Sequence, residues 1–460
     1  MKKRAFVLAL MGSVLPAALP AAAQENSDLN LIPGAVQDAP PPPTSVAGHG
    51  KYSLENAFGW YSYRGSFAVS PGGSIPSRWA NRTSFDGLDQ WALAPDVTVT
   101  ASDRLSVNFA NGVGFPNESV RNDIREAYLT YETAPQTYLE AGRINVRYGV
   151  AYGYNPTDFF RARTSVAQSS ADPSAQRLNR LGTVMIRGQR FFDGGAIELL
   201  YAPKLHSPVA MGTQAGPLDP KIDQTNDSDR ALMAFSFELE QFSPQVLVYY
   251  EGGRTKFGVN LSRPIGSQVI AYASWSGGMA PNIAVDAIAF GKRTRMLPLT
   301  APVLPPTSLS RGFQNDLSAG ATWTGEDKVT VTAEYNFHQA GFSQDDWRNW
   351  FSSGSNPSFS SLMWLVRGYS SDQQQPTSRH QAFVRADWSE PFHIEHADVN
   401  AFVMTNLADG SSIGQFAVSY DISDYWSVGV YAGGSMGGRK SEWGSLRNAG
   451  SAIVQIVRYL

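Results

Sequence analysis

Val329-Thr330-Val331-Thr332-Ala333-Glu334-Tyr335-Asn336-Phe337-His338 alternates without a break. As a strand it carries Val329, Val331, Ala333, Tyr335 and Phe337 on one face and Thr330, Thr332, Glu334, Asn336 and His338 on the other. An apolar face backed by a polar one suits a wall with hydrocarbon outside and water inside, the reverse of a soluble barrel. Upstream, Leu317, Ala319, Ala321 and Trp323 repeat the pattern and join it through Gly325-Glu326-Asp327. Ala231, Met233, Phe235, Phe237 and Leu239 alternate in the same way, as do Thr255, Phe257, Val259 and Leu261.

Working outward, eighteen alternating segments of about ten residues can be drawn from 52 to 460, among them 52–60, 88–101, 104–113, 124–133, 137–148 and 450–460. Short links, such as 102–103, 134–136, 192–193 and 325–327, follow even-numbered strands. The long links 61–87, 149–179, 204–229, 277–311, 339–378 and 435–449 follow odd-numbered strands. Short turns on one side and long loops on the other predict a barrel with both termini in the periplasm. The final Ser451-Ala452-Ile453-Val454-Gln455-Ile456-Val457-Arg458-Tyr459-Leu460 has no turn after it and is expected to pair with 52–60, closing the wall. The fold class is therefore an all-β, transmembrane antiparallel barrel of eighteen strands, with sixteen as the alternative count.

The chain opens with Lys2, Lys3 and Arg4, then a mostly apolar run over 5–19 and Ala21-Ala22-Ala23, the pattern of a cleaved export signal over 1–23 with the mature chain from Gln24. Residues 24–50, with Pro40 to Pro43, read as a flexible periplasmic leader ahead of a barrel over 51–460. The absence of cysteine removes a lipid-modified N-terminus, disulfides and thiolate chemistry. A mean hydropathy of -0.24 and no later run of about 20 apolar residues leave strands to cross any membrane. The formal charge of -3 becomes -6 when the three N-terminal cations leave, which argues against nucleic acid as a partner.

The most distinctive stretch is Arg125-Glu126-Ala127-Tyr128-Leu129, Gly142-Arg143, Tyr148-Gly149 and Gly153-Tyr154-Asn155-Pro156-Thr157-Asp158-Phe159. It resembles a pattern in porin-like outer-membrane proteins of Gram-negative bacteria, including relatives of the alginate-export channels, in which a strand glutamate, a Gly-Arg pair and an Asn-Pro-x-Asp turn recur. Tyr148-Gly149 stands where that pattern has Trp-Gly. The resemblance implies a channel and names no solute.

Taken by themselves, the residues put Glu126 level with Arg143 across the turn near Ala134-Pro135, where they either pair to hold the wall or shape the field of a pore. Leu129 with Ala141 and Tyr131 with Leu139 fit a register one residue away, so a β-bulge beside Ala127 or Gly142 is expected. Between Gly142 and Arg190 eight arginines (143, 147, 161, 163, 177, 180, 187 and 190) face only Asp158 and Asp172. If they point inward they make a basic constriction favouring anions; if outward, they meet the phosphates of lipopolysaccharide. The pore-lining candidates are Glu126, Arg143, Arg161, Arg163, Arg177 and Arg187.

In the long link 339–378, Ser343-Gln344-Asp345-Asp346 has the spelling of a capping box, and Leu362-Met363-Trp364-Leu365-Val366 must pack on the barrel mouth, another loop, lipid or a neighbour. Gly433-Gly434-Ser435-Met436-Gly437 spells a nucleophile elbow outside its α/β setting, and His393, Glu395 and His396 lack a third ligand, so no catalytic, cofactor or metal site is assigned.

The expected function is passive passage of small hydrophilic or anionic solutes, without a chemical step. An exporter of an acidic polysaccharide is the first rival, and should carry arginines along many strands. An outer-membrane enzyme or receptor is the second. The partners implied are outer-membrane lipid and lipopolysaccharide, the barrel-assembly machinery and small solutes, with a homo-oligomer left open.

Overall fold

The computed structural model describes residues 48–65, 79–110, 118–212, 216, 219–239, 242–301, 312–353 and 357–460. The expected export signal over 1–23 and nearly all of the expected leader over 24–50 lie outside the described residues.

Eighteen antiparallel strands close on themselves. They are β1 (His49–Tyr63), β2 (Trp79–Ala94), β3 (Val97–Ala110), β4 (Glu118–Ala134), β5 (Thr137–Ile144), β6 (Thr183–Phe192), β7 (Gly195–Ala202), β8 (Arg230–Phe237) and β9 (Gln245–Glu251). Then come β10 (Arg254–Ile265), β11 (Val269–Ala280), β12 (Gly312–Thr324), β13 (Val329–His338), β14 (His380–Ser389), β15 (Ala397–Asn406), β16 (Ser412–Ser423), β17 (Trp426–Met436) and β18 (Asn448–Tyr459). Each strand pairs with its sequence neighbours, and β1 pairs with β18 from Ser53 opposite Tyr459 to Trp60 opposite Ala452, the expected closure. Closure removes every open edge, which hydrocarbon could not satisfy.

The alternation sets the two faces. Along β13, Tyr335 is 40% exposed while Thr332, Glu334, Asn336 and His338 are buried against the lumen contents. Exposed Val384, Val403, Phe416, Val430 and Val454 continue the outer row on β14 to β18.

Two local expectations are corrected. The second hairpin turns at Pro95-Asp96, so β2 and β3 are not split at 102–103. In the fourth hairpin Ala127, not Glu126, lies opposite Arg143, and the irregularity falls between Glu132 and Ala134, beside the turn. One extra residue there suffices to shift the whole ladder, satisfying Leu129 with Ala141 and Tyr131 with Leu139 in the same register.

Among the described residues five α-helices lie in the long links: α1 (Pro173–Leu178), α2 (Ile222–Thr225), α3 (Ile283–Arg293), α4 (Gln344–Ser353) and α5 (Pro357–Asp372). None of the described helices is long and apolar enough to cross a membrane.

Candidate functional site: a loop across the lumen

The link between β5 and β6, residues 145–182, does not leave the barrel. Val150 N–H donates to Ser274 Oγ on β11 (3.4 Å), and Tyr152 and Gly153 N–H donate to the two carboxylate oxygens of Glu334 on β13 (2.5 and 2.8 Å). Thr157 Oγ1 donates to Asn260 Oδ1 on β10 (2.8 Å), and Phe159 stacks on Tyr249 of β9 with centroids 4.5 Å apart. The return leg meets other walls. Arg82 on β2 donates to Ser169 Oγ (2.9 Å), Ala171 N–H to Gln415 Oε1 on β16 (2.9 Å), and Arg385 on β14 lies 3.0 Å from Asp172. Asp172 also caps α1 through Ser174 N–H.

Two glycines of the distinctive stretch make this path possible. Gly142 (φ +136°) would put a Cβ 2.3 Å from Ala127 O. Gly149 (φ +84°) would put one 2.0 Å from Asn155 Oδ1, under the Asn155-Pro156 turn.

Asp158 is the centre of the loop. It accepts from Arg180 at both oxygens (2.8 and 2.9 Å) and lies 3.4 Å from Arg177. Burial opposes its charge, yet the Arg180 and Arg177 guanidiniums hold the carboxyl below its ordinary value. Burial lowers Arg177 to about 10, leaving it a cation at neutral pH. Arg177 also donates to Tyr148 O (2.7 Å) and Gly149 O (3.0 Å), which ties the two legs together.

The six candidates separate on these coordinates. Glu126 accepts from Asn145 N–H (3.3 Å) and makes no ion pair with Arg143. Arg143 donates to Gly182 O (2.9 Å) and to Pro220 O, beneath the β7–β8 link. Arg187 spans Glu140 (3.0 Å) and Glu198 (2.5 Å) on the lumen wall. Arg163 is buried between Asp372 (3.2 Å) and Asp227 (3.5 Å). Arg177 belongs to the Asp158 centre. Of the five arginines, only Arg161 has neither an ion-pair partner among the described residues nor full burial: it donates to Tyr154 Oη (3.1 Å) and to Asn155 O, with its guanidinium 4.8 Å from the Tyr154 ring centroid.

Above the loop a cavity of about 860 Å³ is bounded by Tyr154, Arg161, Arg177, Met211, Trp364 and Arg367, among others. Its roof is a helical lid. Ser343 and Asp346 form the capping box, with Ser343 N–H to Asp346 Oδ2 at 2.8 Å and Asp346 N–H to Ser343 Oγ at 3.2 Å. Trp347, Trp350 and Phe351 of α4 pack with Leu362 and Val366 of α5 and Ile283, Ala287 and Ile288 of α3, so the apolar run finds its partners on other loops. Arg367 lies 5.1 to 5.8 Å from the rings of Trp364, Trp347 and Trp350, and donates to Ser445 Oγ (2.7 Å) and Glu442 O (2.8 Å). Glu442 is buried, accepts from Ser378 Oγ (2.5 Å), and its carboxyl is pushed up to about 7 by burial. Ser435 lies within β17, where its hydroxyl accepts from Arg64 and donates to Asn448 O (2.9 Å).

Sequence reasoning missed Glu334, Glu442 and the wall ladder in which Glu55 meets Arg82 (2.8 Å) and Arg104 (2.9 Å) and Asp86 meets Arg125 (3.1 Å). The one available signal was Glu334 as the single carboxylate on an inward row of threonine and asparagine.

No family model matches the chain, and no curated protein matches it. Solved structures do. OccK5 (OpdH) of Pseudomonas aeruginosa aligns over 90% of this chain and 98% of its own, with a TM-score of 0.52 at 9% identity. OccK11 (OpdR) of the same species gives 0.52 at 8% identity, over 90% and 96%. A Rhodopseudomonas blastica porin mutant aligns over 90% and 100% with a TM-score of 0.39 at 10% identity. Closed barrel and internal loop together define a porin-like β-barrel. At these identities the likeness to OccK5 and OccK11 is one of fold.

Proposed function

We propose that the chain is an outer-membrane diffusion channel for small hydrophilic, preferentially anionic solutes, with both termini in the periplasm. The observation that carries this reading is the loop 145–182 laid across the lumen with Arg161 facing the cavity and no carboxylate paired to it among the described residues. Fixed charge acts most strongly where a pore narrows and water is scarce. The wall arginines of β2 to β4 are matched by Glu55 and Asp86, which supports a local filter over a basic track for an acidic polysaccharide. The purified protein in planar bilayers should conduct, and a salt gradient should give a zero-current potential of anion preference. A cation-preferring potential would overturn the selectivity; no conductance would overturn the channel.

A further inference from the structure

The inward rows of the wall are of two kinds. On β10 to β13 they are polar, with Asn260, Ser274, Ser318 and Thr332 among them, and Tyr272 donates to Glu334 (2.7 Å) beneath the loop. Around the seam, Val430, Val454, Phe58 and Trp60 are exposed on the outer face, so their neighbours Tyr431, Ile453, Ala57, Gly59 and Tyr61 turn inward. Tyr431 lies opposite Ile453, and Ile453 opposite Gly59, so Tyr61 stands one inward step nearer the long-loop end than Tyr431. Both rings lie along the wall, each over the glycine two residues before it: a Cβ on Gly59 would meet Tyr61 Cε2, and one on Gly429 would meet Tyr431 Cε2, each at 3.1 Å. One face of each ring is therefore turned to the lumen. Neither tyrosine has a hydrogen bond or a ring partner among the described residues, and both stay part-exposed.

Elsewhere such rings are occupied. Tyr52 leans over Gly50 on the outer wall and donates to Asp89, Phe159 covers Tyr249, and Gly153 lies on the ring of Phe383. The loop frames the seam without occupying its tyrosines. Ser169 is held from both sides, its carbonyl accepting from Gln415 Nε2 of β16 (3.4 Å) and its hydroxyl from Arg82 of β2 (2.9 Å). β17, β18 and β1 lie between those two strands, so the bridge stands across from Tyr61 and Tyr431 and the gap has them at its back. Glu55 answers Arg82 and Arg104 (2.8 and 2.9 Å), so the frame brings matched charge.

We propose that this gap is a stacking site for pyranose rings, so that the solutes passing it are sugars or sugar derivatives. The inference rests on the channel reading above and adds the body of the solute to its charge. A pyranose with equatorial hydroxyls presents a flat face of C–H bonds, which suits the electron-rich face of a phenol ring. Its hydroxyls leave at the rim. There the phenol hydroxyls of Tyr61 and Tyr431 can both donate and accept, and Gln455, level with Gly429, keeps an amide oxygen without a hydrogen-bond partner. A bare arene would stack as well but leave these polar groups unmatched. An acyclic polyol would match them but has no flat face to stack.

The full-length protein is labelled with meta-fluorotyrosine in dodecylphosphocholine, a detergent without a sugar headgroup. The fluorine resonances of Tyr61 and Tyr431 are assigned by their loss in Tyr61→Phe and Tyr431→Phe. Methyl β-D-glucopyranoside should shift both resonances, and mannitol at equal concentration should shift neither. Resonances unmoved by the glucoside would overturn the site, equal shifts with mannitol would overturn stacking, and shifts with benzoate alone would overturn the pyranose. Liposome swelling separates this from the channel reading. The protein should admit the glucoside several-fold faster than mannitol, and the double variant Tyr61→Ala/Tyr431→Ala should bring the two rates together. Equal rates in the unaltered protein would overturn the site's part in passage. No swelling with either solute would overturn the channel, and the resonances then decide the site, as they do if the double variant does not fold.

Discussion

The loop 145–182 and the α4–α5 lid both close over the same cavity, but they are held by opposite means. In the loop, Asp158 answers Arg177 and Arg180, and Asp172 answers Arg385, so buried charges are matched within a tight polar web. In the lid, tryptophans and leucines supply the packing, and the buried acid that its Arg367 meets, Glu442 of the β17–β18 link, sits with its pKa displaced toward neutrality. A matched web is rigid and loses much when one member goes; an apolar cap with one displaced acid responds to solution conditions.

The largest expected effect breaks the web. Asp158→Ala leaves Arg177 and Arg180 buried without their carboxylate, a cost of about 3–5 kcal/mol to the packed loop. Single-channel recordings should show larger, noisier conductance with the barrel intact. Next comes the lid. Closing it buries a carboxyl whose pKa rises from an ordinary 4.5 to about 7, on the order of 3 kcal/mol. The closed lid therefore holds a proton that an open lid releases: closure is fully favoured below about 4.5 and the advantage is lost as pH rises through 7. Hydrogen exchange of α4 and α5, corrected for intrinsic rate, should be faster at pH 8 than at pH 5, and Glu442→Gln should remove the difference.

Gly149→Ala forces a side chain onto Asn155 and Thr157 at positive φ, and should loosen the loop by about 1–3 kcal/mol, visible as new proteolytic cuts near 149–158. The smallest energy, and the sharpest contrast, belongs to two neighbours. Arg161→Gln should move the zero-current potential toward cation preference, whereas Arg163→Gln, buried between Asp227 and Asp372, should act on loop stability and move the potential little. Equal shifts would mean that both arginines face the pore.

Most of the barrel was legible because outward rows such as Val329 to Phe337 are apolar at period two. The reading slipped at β2 and β3, where Asp89 and Asp103 stand in outward rows and Ser102-Asp103 imitates a turn that Pro95-Asp96 supplies. The arginine excess of 142–190 was legible, but the sequence left open whether it points inward or outward. Its neutralisation was not legible, because Asp227 and Asp372 come from elements distant in the chain, and Glu140 and Glu198 face Arg187 only through the inward register of β5, β6 and β7.

The seam between β1 and β18 has a consequence for how the barrel is made. Leu460 N–H donates to Tyr52 O at 3.0 Å, so the contact that completes the cylinder joins opposite ends of the described chain. Loop-closure entropy grows only logarithmically with separation, so the thermodynamic penalty is modest. The kinetic one is not: until the last strand arrives, β1 and β17 are raw hydrogen-bonding edges on a sheet with an oily face, ready to pair with any neighbouring chain. The exposure of those edges ends only when β18 pairs with both of them, so the whole sheet is at risk until its last strand is in place.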